Sequence, residues 1–223
     1  MSTTTVKHFI PTASRWKPVL REIVASDDWH AQWINTLSFL ENSGAKKISA
    51  SEHPTEVKEK VLKHASEEFR HAHYLKTQIP KISRTPLPDY SSKNLLGGLL
   101  TKYYLQLLDL KTCRVLKNQY YLSGQTLKTS AYILVTYAIE LRASELYLLY
   151  HNILKNARSK ITIKSIILEE QGHLQEMERE LKDLPHGDEL LGYACQFEGK
   201  LCLQFVEKLE NMIFGSPLTF ANS

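Results

Sequence analysis

The sequence predicts an all-α protein, a bundle of four core helices with additional N-terminal, crossover and C-terminal helices, filling residues 1–223 as one domain. Three observations lead there. No stretch alternates with the period of two that marks a half-buried strand. The sequence Glu-x-x-His occurs twice in strongly helical runs, as Glu68-Phe69-Arg70-His71 and Glu170-Gln171-Gly172-His173. Each is preceded, one helix earlier, by a glutamate on an otherwise apolar stripe, Glu41 and Glu140, so the chain reads as an internal repeat of two helical hairpins.

The elements follow in order. Ala13 to Ser26 reads as a short helix, after which Ser26-Asp27-Asp28 supplies N-cap chemistry for a second. On that second helix Ile34, Leu37, Ser38, Glu41, Gly44, Ala45 and Ile48 share one inward-facing stripe. Ser51 to Glu56, with Pro54, is a turn and helix start, and the third helix runs to about Gln78, where Pro80 stops it. Its stripe is Val61, Ala65, Glu68, Ala72 and Leu75, with His64 and His71 at the edge. Lys81 to Lys93 holds Pro86 and Pro88 and reads as a loop; Asn94 to Leu122 is the crossover helix, ended by Ser123-Gly124-Gln125. Ser130 to Asn156 is a very apolar central helix, Lys155 to Lys160 a turn, Ile161 to Leu184 a helix carrying Glu170 and His173, and Glu189 to Phe214 the last helix. Hairpin geometry brings the pairs level: the midpoint of Glu41 and Glu68 falls at Pro54, and that of Glu140 and Glu170 at Lys155.

At 223 residues and 43% apolar content the chain can bury a full core without disulfides. Its three cysteines, Cys113, Cys195 and Cys202, are odd in number and lack metal-type spacing, which fits a reducing cytoplasm. Met1 to Lys17 has no continuous apolar run of the signal-peptide kind, and nowhere do about 20 apolar residues follow one another, so a cytoplasmic protein without membrane segments is expected. The net charge of +4 is too small to mark a nucleic-acid binder by itself.

Residues three apart share a helix face, so each Glu-x-x-His aims a carboxylate and an imidazole at one point. With 18 Glu and 9 His, chance supplies roughly 0.7 such matches, so the preceding Glu41 and Glu140 carry much of the weight. The expected ligand set is Glu41, Glu68, His71, Glu140, Glu170 and His173, with Glu68 and Glu170 bridging two ions and Glu41 and Glu140 terminal. Oxygen-rich ligation with one imidazole per ion suits iron, manganese or a mixed pair, and thiolate-free ligation argues against structural zinc. Read singly, each of these residues fits a solvated or salt-bridged helix face equally well. Glu145 competes with Glu140 from spacing alone, although Arg142, three residues away, can claim it as an ion-pair partner. Tyr137 and Tyr147 flank Glu140 at helical spacing, where they could line a pocket or relay an electron, plain core packing being the alternative. His30, His64 and His73 read as ordinary surface or core-edge histidines, and Glu67 and Glu169 as facing away.

From about Trp29 to Lys182, this pattern of Glu41, Glu68-Phe69-Arg70-His71, Glu140 and Glu170-Gln171-Gly172-His173 resembles the ferritin-like superfamily of di-iron carboxylate proteins. Ile139-Glu140-Leu141-Arg142-Ala143-Ser144-Glu145 is similar to the Ile-Glu-x-Arg-x-x-Glu stretch of bacterial tRNA hydroxylases acting on a hypermodified adenosine, which favours Glu140 as ligand. The Glu68 to His71 segment is also similar to that of cyanobacterial aldehyde-deformylating oxygenases. Gly172 within the second motif and the long segment between the hairpins depart from the pattern. The resemblance implies an oxidoreductase with two iron ions, dioxygen as co-substrate, an electron donor, and either a small organic substrate or tRNA. Basic residues are spread along the chain rather than clustered, which favours the small substrate; a ferroxidase or a helical interaction protein is the alternative.

Overall fold

The computed structural model describes residues 8–215, and among them seven α-helices and no strand. They are α1 (Ala13–Ala25), α2 (Asp27–Ser51), α3 (Glu59–Gln78), α4 (Leu99–Asn118), α5 (Gly124–Asn156), α6 (Lys164–Lys182) and α7 (Gly187–Phe214). α2 and α3 form one antiparallel hairpin and α5 and α6 the other, as the repeat requires. α4 crosses between them against α5 and α7, while α1 packs on α2, α5 and α7. Among the described residues no helix is long and apolar enough to cross a membrane.

Local chemistry accounts for the boundaries. Ser26 caps α2, its hydroxyl accepting from the Trp29 amide, and Asp27 and Asp28 in the first turn complement the helix dipole. α3 starts later than the Pro54 turn, at Glu59, because His53 Nδ1 accepts the amides of Thr55 and Glu56 (3.3 and 3.1 Å) and holds the connection open. α4 begins at Leu99 rather than Asn94, since Gly97 and Gly98 take positive φ of 78° and 60° and turn the chain into the helix. A Cβ on Gly97 would lie 2.4 Å from the Phe205 ring. α5 starts six residues before Ser130; its first turns are polar and partly exposed, which hides them from an apolar-stripe reading. α6 starts at Lys164 because Ile161 and Ile163 instead enter the core from an extended segment.

The long loop after α3 is pinned to α2. Asn35 donates to the carbonyls of Asp89 and Asn94, and Lys76 reaches Asn35 and the Leu87 carbonyl. Ser38 binds both the Ala72 carbonyl on α3 and the Tyr90 hydroxyl. Trp16, Trp33 and Phe205 pack together, with ring centroids 5.5 Å apart for Trp16–Trp33 and Trp16–Phe205, and close one end of the core. The other end is a second apolar cluster built on Ile133, Leu134, Tyr137, Leu190 and Leu191.

Candidate metal centre

Between those two apolar regions the four hairpin helices turn ionisable side chains inward. α2 contributes Glu41, α3 Glu68 and His71, α5 Glu140, and α6 Glu170 and His173, and all six are at most 8% exposed. They converge as two groups that could each hold a metal ion: Glu41, Glu68, His71 and Glu170 in one, and His64, Glu68, Glu140 and His173 in the other. Glu68 belongs to both. Glu170 faces both histidines, with His71 Nδ1 3.2 Å from one carboxylate oxygen and His173 Nδ1 3.9 Å from the other.

The fit of this arrangement to cations rests on what its atoms lack. Glu68 Oε1, His71 Nδ1, Glu140 Oε2, Glu170 Oε1 and His173 Nδ1 are all buried and make no hydrogen bond of good geometry, their nearest approaches being the ion-pair contacts His71 Nδ1–Glu170 Oε1 at 3.2 Å and His173 Nδ1–Glu68 Oε1 at 3.3 Å. Buried polar atoms are nearly always satisfied, so five such atoms in one place fit a shared ligand. The opposite ring nitrogens are occupied. His71 Nε2 lies 2.8 Å from Glu169, and His173 Nε2 lies 2.8 Å from Glu67, each carboxylate coming from the other hairpin. Glu67 and Glu169 therefore do not face away; they cross between α3 and α6 and hold each imidazole with Nδ1 aimed at the centre.

Charge leads to the same reading. Burial pushes the Glu68 and Glu140 carboxyls well above their usual range, Glu68 further through Glu41 and Glu170, and Glu140 through Glu170. Burial alone would lower His71, yet the facing carboxylates of Glu170 and Glu41 raise it to about 11, and Glu68 and Glu170 raise His173 likewise against its burial. Protons stand in for missing positive charge. Two divalent cations would neutralise the four buried carboxylates of Glu41, Glu68, Glu140 and Glu170.

Glu140 and Glu145 are separated by their surroundings. Glu145 accepts the amides of Thr12 and Ala13 (2.9 and 3.1 Å) at the start of α1 and pairs with Arg142, so it is an anchor for the N-terminal helix. Arg142 also reaches Glu198 of α7 through Nε and Nη2, both at 2.8 Å, and Tyr104 donates to the same carboxylate. Nothing in the sequence pattern singled out Glu198.

The two tyrosines part company. Seven residues bring Tyr147 within about 20° of Glu140 around the helix, and its hydroxyl donates to Glu41. Tyr137 is about 60° away; it packs in the second apolar cluster and lies outside the cavity beside the centre, which corrects its expected place at the site. His30 is buried and bonded to Tyr150 at 2.6 Å, and His73 is exposed. His64 is neither at the surface nor at an edge: it is 1% exposed, with Nε2 3.1 Å from Glu140 and 3.7 Å from Glu68. Burial, with His173 adding to it, lowers its pKa to about 3, so the ring is neutral. Its signal was present as His64, Glu68 and His71 at helical positions i, i+4 and i+7.

Beside the centre lies a cavity of about 100 Å³. Carboxylates of Glu41, Glu68, Glu140 and Glu170 form part of its wall, and Trp16, Leu37, Leu40, Ile139, Leu146 and Phe205 make most of the remainder apolar. Comparison with protein-family models, curated proteins and solved structures finds no match to this chain.

Proposed function

We propose that this chain is a dinuclear metal oxidoreductase of the ferritin-like di-iron type, which activates dioxygen to oxidise a small, largely apolar organic substrate. The observation that carries the reading is the set of five buried atoms on Glu68, His71, Glu140, Glu170 and His173 that make no well-formed hydrogen bond and converge next to an apolar cavity. Oxygen-rich donors with imidazole suit iron, or manganese in one or both positions. Bound there, two ferrous ions would supply electrons to dioxygen, and an external donor would return two electrons for each substrate hydroxylated, the second oxygen atom leaving as water.

The protein's own residues do the positioning. Glu67 and Glu169 fix the rings of His173 and His71, and Tyr147 fixes Glu41 by donating to one of its oxygens. Leu37, Leu40, Ile139 and Phe205 exclude water from the carboxylate wall and leave a space for an apolar molecule. At about 100 Å³ the cavity is smaller than the roughly 150 Å³ that admits benzene in an engineered protein. That size favours a short aliphatic compound over a nucleoside of tRNA. An apolar wall also favours an organic substrate over iron as cargo.

The test is dioxygen uptake by protein loaded anaerobically with Fe(II), in the presence of short-chain and small-ring compounds, with products read by mass spectrometry under ¹⁸O₂. Incorporation of one labelled oxygen into an organic product is expected. Oxidation of Fe(II) with no organic product under any condition would instead mark an iron-oxidising protein.

A further inference from the structure

We propose that His64 is a metal ligand and that it makes the two halves of the centre unlike: one half with two imidazoles and two carboxylates, the other with one imidazole and three carboxylates. The proposal rests on the dinuclear reading above. The residue sets differ at the positions shown by the structure, His64, Glu68, Glu140 and His173 on one side and Glu41, Glu68, His71 and Glu170 on the other.

Three features of His64 support a ligand role. First, its ring lies against that of His173, centroids 4.0 Å apart and planes tilted by 37°, and its Nε2 faces Glu140 and Glu68, the same carboxylates that His173 Nδ1 approaches at 3.8 and 3.3 Å. Two imidazoles and two carboxylates thus each bring a donor atom to within 4.8 Å of the others, a set that suits a cation. Second, the outer nitrogen has its own partner: His64 Nδ1 lies 3.3 Å from the Tyr132 hydroxyl. With the proton on Nδ1, Tyr132 does for His64 what Glu67 and Glu169 do for His173 and His71, and the Nε2 lone pair is released inward. Third, the outer partner differs in kind. A phenol oxygen is a weaker acceptor than a carboxylate, so His64 is the less basic imidazole of the three, and the halves differ in donor strength as well as donor count.

Imidazole suits iron, cobalt and zinc, whereas carboxylate suits manganese. The half containing His64 should therefore take Fe(II) or Co(II) first, and the half containing Glu41 and His71 should be the better home for Mn(II). The centre is built for two ions that are not equivalent.

The experiment is anaerobic titration of the full chain with Co(II), followed by its visible absorption, for wild type, His64→Ala and Tyr132→Phe. Wild type should bind two Co(II) in two resolved steps with different spectra. His64→Ala should weaken the tighter step by at least about 10–100-fold, the loss typical of disturbing even an outer partner of a ligating histidine, and leave the other step in place. Tyr132→Phe, which keeps the imidazole, should weaken the same step less. For a readout that needs no variant, wild type holding one Mn(II) and one Co(II) should give a manganese signal coupled to one imidazole nitrogen, not two. Two Co(II) bound with identical spectra and unchanged affinity in His64→Ala would overturn the role of His64 while leaving the dinuclear reading intact. Absence of Co(II) binding by wild type would overturn both.

Discussion

His173 on α6 and Glu67 on α3 meet across the two hairpins, ring Nε2 to carboxylate at 2.8 Å, and His71 and Glu169 repeat the contact in the opposite direction. The internal repeat in the sequence thus becomes a pair of crossed braces, each hairpin orienting the other's imidazole. Outer partners of ligating histidines typically contribute 10–100-fold to metal affinity. Glu67→Gln and Glu169→Gln should therefore each weaken Fe(II) or Co(II) binding by about that factor while the helix content stays unchanged. Calorimetric titration beside circular dichroism checks this, and full-strength binding in the double variant would show the braces to be irrelevant to the centre.

Gly172 sits inside the second Glu-x-x-His, yet α6 runs through it without interruption and a Cβ there would touch nothing within 4 Å. Its backbone φ is not in the positive range. Gly172→Ala should thus raise stability by about 0.5–1 kcal/mol through reduced freedom of the unfolded chain. The melting temperature should rise by a few degrees, with metal stoichiometry unchanged. A lower melting temperature would mean that Gly172 serves a contact made only in the metal-loaded protein.

Much of the centre was legible because helical periodicity ties residue spacing to direction. Spacing placed Glu41 and Glu68 on inward stripes with His71 at the edge, the hairpin midpoints brought Glu41 level with Glu68 and Glu140 with Glu170, and the choice of Glu140 over Glu145 needed the family resemblance as well. What spacing does not encode is the partner across a helix pair. Glu67 and Glu169 lie one residue from inward positions and look solvent-facing on a single helix, yet they become braces only when α3 meets α6. His64 stood at the edge of the α3 stripe and read as an ordinary core-edge histidine, because its surroundings depend on Tyr132 and His173 arriving from other helices. The starts of α4 and α6 were obscured for a related reason. Ile161 and Ile163 are apolar and periodic enough for a helix, but the core accepts them from an extended segment.

Glu198 is fully buried and takes two hydrogen bonds from Arg142 and one from Tyr104. Removing one member of a buried ion pair leaves the other charge uncompensated, at a cost of about 3–5 kcal/mol. Glu198→Ala should fall at the lower end of that range, because Glu145 still faces Arg142. Replacing both Arg142 and Glu198 with methionine should recover much of the loss. Urea denaturation of the three proteins decides it, and a double variant no more stable than Glu198→Ala would mean the pair has an additional role, such as fixing the α1 start through Thr12.

His30 offers a pH dependence separate from the candidate metal centre. Its folded-state pKa is lowered by burial to about 4, from 6.5 in the unfolded chain. The unfolded state therefore binds the proton more readily between those values, and the contribution to stability is fully present above pH 6.5 and is lost as pH falls toward 4. At pH 5 the loss is on the order of 2 kcal/mol. His30→Gln keeps a polar partner for Tyr150 without a titrating ring, so its stability relative to wild type should improve steadily from pH 7.5 to pH 5. Parallel pH profiles for the two proteins would exclude His30 as the source.

Ala143 lies one helical turn beyond Glu140 on the wall of the apolar cavity, and the space there, about 100 Å³, leaves little room for a larger side chain and a substrate together. Ala143→Leu should leave two ions per chain, since none of the converging carboxylates or imidazoles is altered. Under the proposed function, oxidation of an organic compound should fall at least about tenfold, chiefly as a higher KM, because the substitution removes binding space. Leu40→Ala on the facing helix should act in reverse, enlarging the cavity and shifting preference toward longer compounds. Steady-state rates across a homologous series of substrates separate these outcomes. Unchanged KM and chain-length preference in both variants would place the organic substrate somewhere other than this cavity, while retained Fe(II) binding would still leave the centre itself standing.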